Sequence, residues 1–352
     1  MLKVSKSPRY NFIQLFRFIA ALMVIILHST FYAQERLDKG IARYNSGYNG
    51  VLLFFVISGF VMVISSQRLL NEEHGGRTFM LKRLIRIVPI YWLLNTYKLI
   101  VLLVSSNIVK HAAVAPLFII KSYFFIPAIN IDGKYEPFYG VGWTLNYEMF
   151  FYLWFAIALF FKVKPLYLLG PVFVALACLS LISTPGWGAF GYYTNGIVLY
   201  FLYGMIIGYL ILNSRKLPSN LALGIIVVGL IVLFAPQQIM PAWLNNHPFP
   251  YLHILAALII YAGASVHNDF DSKIPKWLVY LGSASYSLYL IHPIIAPLSP
   301  TLLSKVSLHI GWLSVIISVI MALGVGCLFY QYCETPLTNG FNKFAKKHKW
   351  FA

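Results

Sequence analysis

Asn11–Phe31, NFIQLFRFIAALMVIILHSTF, is a run of about twenty mostly apolar residues, long enough to cross a bilayer as one helix. Two residues inside it are out of place. Arg17 and His28 sit within the apolar run, where an ionisable side chain costs at least about 2.5 kcal/mol and neither reaches water as a terminal residue would. Eleven residues separate them, about 16 Å of helix rise and close to three turns, so both point to one face. One helix therefore carries a cation towards one leaflet and an imidazole towards the other.

The rest of the chain continues this pattern. Its 352 residues are 59% hydrophobic and only 11% charged, with a mean hydropathy of +0.74, too few charges to cover a soluble globule. The expected class is an all-α polytopic membrane protein forming a single transmembrane domain over 1–352, with a short basic tail at 334–352. Ten spans are expected: Asn11–Phe31, Tyr48–Ser66, Ile87–Ser106, Trp143–Phe161, Pro165–Ser183, Thr194–Leu212, Ser219–Ala235, Tyr251–Val266, Trp277–Leu298 and Gly311–Cys333. The basic N-terminus precedes an apolar run longer than a signal h-region and without a small-x-small site, so the first span is expected to stay uncleaved. Cys178, Cys327 and Cys333 lie in or beside apolar runs without metal-ligand spacing, which suggests neither disulfides nor a metal site.

A formal charge of +17 could signal nucleic acid, but the basic residues follow the membrane instead. With both termini cytoplasmic, the inner segments hold eighteen of the 27 Lys and Arg and the outer segments seven, a bias that sets the orientation. The apolar patch from Pro116 to Pro127 is too short to cross and is assigned to the outer surface as an interfacial or re-entrant piece. The tail NKFAKKHKWFA, basic and aromatic, suits anionic lipid at the inner face.

Depth turns the remaining polar residues into a geometric argument. His28 lies about 25 Å from the inner edge of a core about 30 Å thick, and Glu148 lies about 8 Å below the outer edge on an inward-running span. His292, in SYSLYLIHP, reaches a similar level on a third span. An imidazole beside a carboxylate is a general base with its orienting partner. One buried polar group most often just joins helices, whereas three at one depth point to function. At the inner side Arg83 and Arg86, one helical turn apart, suit bidentate phosphate capture, although topology alone also favours basic residues there. Arg17 forms a second tier above them. The series suits a donor with a phosphorylated head inside and a reactive group at the end of a long arm, the shape of a coenzyme A thioester. No G-x-S-x-G, H-E-x-x-H or Walker-type motif is present.

Six stretches in this order resemble the acyltransferase-3 family of integral-membrane acyltransferases, above all the members that O-acylate bacterial exopolysaccharide and O-antigen. They are Arg17 and His28 as R-x10-H, FFVISGF at 54–60, Arg83 and Arg86 before VPIYW, GWTLNYEMFFY at 142–152, SYSLYLIHP at 285–293 and YQYCETP from Tyr330. The resemblance implies a bundle of about ten transmembrane helices in a bacterial inner membrane. It also implies transfer of an acyl group, commonly acetyl, from cytoplasmic acyl-CoA to a sugar hydroxyl at the periplasmic face. His28 matches the family's essential histidine and Arg17 its partner arginine. Arg83 and Arg86 match the pair linked to the donor, and Glu148 lies in the family's tryptophan-containing motif at 142–152, with Trp143.

The expected mechanism has His28, oriented by Glu148, deprotonate the acceptor hydroxyl, or else carry the acyl group itself. His292, Tyr286 and the Trp143 region are candidates for substrate contact or oxyanion stabilisation. The expected partners are acyl-CoA, a polysaccharide or lipid-linked oligosaccharide and the bilayer, with no nucleic acid and no metal. A transporter remains an alternative, because polar groups at matched depth can line a permeation path; it calls for paired interrupted spans, which the sequence lacks. A lipid-binding scaffold explains the basic loops but not His28 with Glu148.

Overall fold

A computed structural model describes residues 10–105, 114–236 and 248–351. The described residues are helical, with no strand beyond one isolated bridge between Ile129 and Tyr135. Chain order gives α1 Asn11–Arg36, α2 Asn49–Ser65, α3 Gly75–Val104, α4 Pro116–Tyr123, α5 Trp143–Phe160, α6 Pro165–Leu179, α7 Gly188–Tyr193 and α8 Val198–Leu212. It continues with α9 Ser219–Phe234, α10 Pro248–Ser265, α11 Lys276–Ser283, α12 Ser285–Ile295, α13 Leu298–Lys305, α14 Gly311–Phe329 and α15 Thr335–Lys347. Among the described residues, five helical stretches are long and apolar enough to cross a membrane: Asn11–Arg36, Asn45–Ser65, Gly75–Val104, Ser285–Lys305 and Gly311–Lys347; four shorter helices there are also apolar. Side chains such as Ile231, Ile316 and Ile320 face outward, as they do where the surrounding solvent is hydrocarbon.

The helices form two compact units. The first comprises Met1–Ser65 and Tyr203–Leu328 and is organised around α1. Helix α1 packs on α2 and on α10 to α13. Small residues permit the close approach that replaces hydrophobic driving force in lipid: a Cβ on Gly282 of α11 would overlap the carbonyl of Gln14, and one on Gly50 of α2 would overlap that of Ala20. The orphan N–H groups that open α1 are satisfied from far along the chain. The Asp271 carboxylate accepts from Asn11 N at 2.6 Å and Phe12 N at 3.2 Å, and is held in turn by His267 Nδ1 at 2.5 Å.

The second unit comprises Ser66–Leu202 and Phe329–Ala352. Its axis is the antiparallel pair α3 and α5, drawn together where Gly76 meets the carbonyl of Ala156 and Gly142 meets the Tyr91 ring. Helix α4 folds back on α3: Ser122 Oγ donates to Asn95 Oδ1 at 3.0 Å and accepts from Phe138 N at 3.1 Å, while Ile119 packs on Leu102 and Phe138. The Pro116 patch is thus a short helix docked on a long one.

Four expected spans are corrected. Helix α1 runs on to Arg36 instead of ending at Phe31, because Ala33–Arg36 are good helix formers and Arg36 Nη1 donates to Thr301 Oγ1 at 3.0 Å. Helix α3 begins at Gly75 instead of Ile87, so Arg83 and Arg86 lie on a 30-residue helix and not in front of one. The expected span Trp277–Leu298 is divided into α11 and α12 at Ala284, where Gly282 has been pressed against α1 and Ser283 Oγ donates back to Val279 O at 2.9 Å. In the last expected span, α14 ends at Phe329 in a π turn, Tyr330–Glu334, that leads into α15.

Candidate active site

Helix α1 is unbroken from Arg17 to His28, so the spacing read from the sequence survives. Both side chains are half-buried. Arg17 Nη1 donates to Gln14 Oε1 at 3.5 Å, one turn back. The His28 ring is turned so that Nδ1 lies 3.0 Å from the carbonyl of Val24. A carbonyl only accepts, so Nδ1 carries the hydrogen and Nε2 keeps its lone pair.

His292, fully buried on α12, places its Nε2 3.2 Å from the same Nδ1, the two rings 4.8 Å apart at 49°. With the hydrogen on His28, the His292 nitrogen is the acceptor. The His292 Nδ1 is enclosed, beside the carbonyls of Leu288 and Tyr289 but outside hydrogen-bond geometry. Two imidazoles 264 residues apart therefore form one group, with a free Nε2 on His28 at its end. This arrangement can take a proton at that nitrogen, the new charge meeting the Val24 carbonyl and the His292 lone pair. Tyr286 begins the same helix as His292, six residues or about 9 Å of rise away.

The second unit holds the other candidates. Arg83 lies with its guanidinium 5.5 Å over the Phe79 ring, within the electrostatic reach of Tyr152, Arg86 and Glu148. The Tyr152 hydroxyl donates to the Glu148 carboxylate. Phe79 stacks on Phe155 at 4.8 Å and meets Tyr152 edge-on, so the cluster stands on an aromatic base. Trp143 opens α5 beside a cavity of about 600 Å³.

The structure thus brings His28 to His292, and Arg83 within reach of Arg86 and Glu148. His28 and Glu148 belong to different units; the bonded partner of each lies in its own, His292 for the one and Tyr152 for the other. Sequence reasoning missed Tyr152, although its i+4 spacing from Glu148 on one helix could have found it. It also missed Asp271, for which no local signal exists. Among the described residues no group of three His, Cys, Asp or Glu could hold a metal.

Comparison with known proteins supplies the family. The model of an acyltransferase domain matches residues 10–331. The chain is 30% identical over 324 residues to exopolysaccharide production protein ExoZ of Rhizobium meliloti (strain 1021), covering 87% of this chain and 93% of that protein. It is 27% identical to "Putative O-acetyltransferase SACOL0978" of Staphylococcus aureus (strain COL), over 91% of this chain and 56% of that one. It is also 24% identical to "Putative peptidoglycan O-acetyltransferase YrhL" of Bacillus subtilis (strain 168), over 86% and 52%. The chain spans about half the length of these last two relatives. No solved structure matches. With all but the ends of the chain matched, this protein belongs to the acyltransferase-3 family.

Proposed function

We propose that the protein is an inner-membrane O-acyltransferase of ten spans with both termini in the cytoplasm. It moves an acyl group, acetyl in the first instance, from cytoplasmic acyl-CoA to a hydroxyl of a surface polysaccharide or its lipid-linked precursor at the periplasmic face. The observation that carries this reading is the His28 ring, fixed by Val24 and His292 with Nε2 left to act as a base.

In the proposed reaction, Nε2 of His28 takes the proton of the acceptor hydroxyl as its oxygen attacks the thioester carbonyl. The tetrahedral oxyanion collapses, the C–S bond breaks, and the imidazolium returns its proton to the departing sulfur. His292 moves from candidate oxyanion stabiliser to positioning residue, because its nitrogen meets the far side of the His28 ring. Tyr286 remains the candidate for the oxyanion. Arg83 and Arg86, with Arg17, are assigned to the donor's phosphates. Glu148, bonded to Tyr152, is assigned to orienting Arg83. The exopolysaccharide and O-acetyltransferase names of the relatives support the acceptor and the acetyl group. Membership in an acyltransferase family weighs against the transporter alternative.

Proteoliposomes test the sidedness. With radiolabelled acetyl-CoA facing the basic loops and acceptor oligosaccharide on the opposite side, labelled acceptor should accumulate. Equal labelling with both substrates together on either side would overturn transfer across the membrane.

A further inference from the structure

The second unit contains a cavity of about 600 Å³ that no step above uses. Its walls include the rings of Tyr135, Trp143, Tyr147 and Tyr192, and its rim the polar side chains of Thr184 and Asn195. It opens where α5 begins, whereas α5 ends just before Lys162 and Lys164; by the bias of basic residues this mouth faces outward.

The aromatic wall is fixed in advance. The Tyr147 hydroxyl donates to the carbonyl of Tyr192 at 2.6 Å, and the Tyr192 hydroxyl to that of Trp143 at 2.8 Å. Tyr147 and Tyr192 stack at 4.5 Å, Trp143 meets Tyr147 edge-on at 6.1 Å, and Tyr135 leans on Tyr192 at 5.6 Å. With these hydroxyls used internally, Tyr147 and Tyr192 offer ring surface and lose little rotamer freedom when a ligand arrives. The Asn195 carbonyl oxygen accepts from Ile197 N at 3.0 Å, which orients the amide and leaves its NH₂ to donate. Gly188 starts α7 at φ +54°, a backbone only glycine adopts without strain, and a Cβ there would meet no other atom.

Chemistry narrows the occupant. No Lys, Arg, Asp or Glu lines the cavity, so it offers no counter-charge to a phosphate or nucleotide. Hydroxyl and amide groups among the rings make it too polar for an acyl chain alone. A neutral pyranose fits: one face is C–H surface that lies on aromatic rings, and its edge carries hydroxyls for the Asn195 and Thr184 rim. The volume is within the roughly 300–1,000 Å³ typical of small-molecule sites.

We propose that this cavity holds a neutral sugar ring of the acceptor and selects the glycan to be acylated. The proposal rests on the reading of the acceptor as a polysaccharide. Its test uses the full chain in nanodiscs with two probes, methyl β-glucopyranoside and the oligosaccharide repeat unit of the producing strain's surface polysaccharide. Saturation-transfer NMR reads binding, and acceptor KM reads use. Thr184→Trp, from an exposed position, should block the cavity, and Asn195→Ala should remove the oriented donor. Expected are loss of saturation transfer and at least a tenfold rise in acceptor KM, with donor KM and thermal unfolding unchanged. Binding and acceptor KM within twofold of wild type in both variants would overturn the cavity as a sugar site. If that occurs while His28→Ala still abolishes transfer, only the cavity fails. If Thr184→Trp removes sugar binding while His28→Ala turns over normally, the histidine mechanism fails and the cavity stands.

Discussion

The two units bury polar groups in opposite ways. In the first, His28 and His292 share one hydrogen between uncharged rings, capped by a backbone carbonyl. In the second, Arg83 lies within the electrostatic reach of Glu148, with a tyrosine hydroxyl on the carboxylate and an aromatic ring under the guanidinium. A neutral pair in an apolar helix bundle costs less to bury than a pair of ions, and an imidazole with one nitrogen open suits proton transfer. A buried ion cluster keeps its charge and suits the holding of an anion. On the proposed reading, chemistry belongs to the first unit and donor binding to the second.

The sharpest way to break that division is at His28. His28→Ala should lower kcat about 10²- to 10⁴-fold, the usual worth of a general base, with acyl-CoA binding intact by equilibrium dialysis. Ordinary turnover would remove proton transfer from the first unit altogether. His292→Ala should lower kcat about 10- to 100-fold, the cost of one hydrogen bond to a charged group, while donor KM stays level. His292→Gln, which keeps a polar atom near His28 Nδ1, should restore part of the rate. A purely structural role predicts no such rescue.

In the second unit, replacing Arg83 and Arg86 together with Gln should raise donor KM about tenfold, more at low salt than at high, with kcat little changed. A fall in kcat at constant donor KM would move the arginines into the chemistry and erase the contrast. The smallest effect concerns the frame that holds α1. Asp271→Ala removes the carboxylate that caps its first turn and should cost about 1 kcal/mol, read as a lowered thermal midpoint with KM values unchanged.

Much of the fold was legible because apolar runs long enough to span a bilayer announce helices whatever surrounds them. Trp143–Phe160 and Ser219–Phe234 match their expected spans to within a residue. The start of α3 was not legible in that way: the stretch before Ile87 is charged, and a search for apolar length passes over a helix that continues into polar sequence. The break at Ala284 was hidden for the opposite reason, since the run carries no Asp, Glu, Lys or Arg and the interruption arises where Gly282 meets α1.

The sequence by itself determined that helices would dominate, that α1 would carry Arg17 and His28 three turns apart, and that Arg83 and Arg86 would share a face. Those properties depend on hydropathy and on the fixed rise of an α-helix. Only the tertiary structure decided that His28 meets His292, that Asp271 caps a helix begun 260 residues earlier, and that four aromatic rings close around a cavity. Such contacts depend on how helix faces are rotated and on where glycines let backbones approach, and no local pattern in the chain records either.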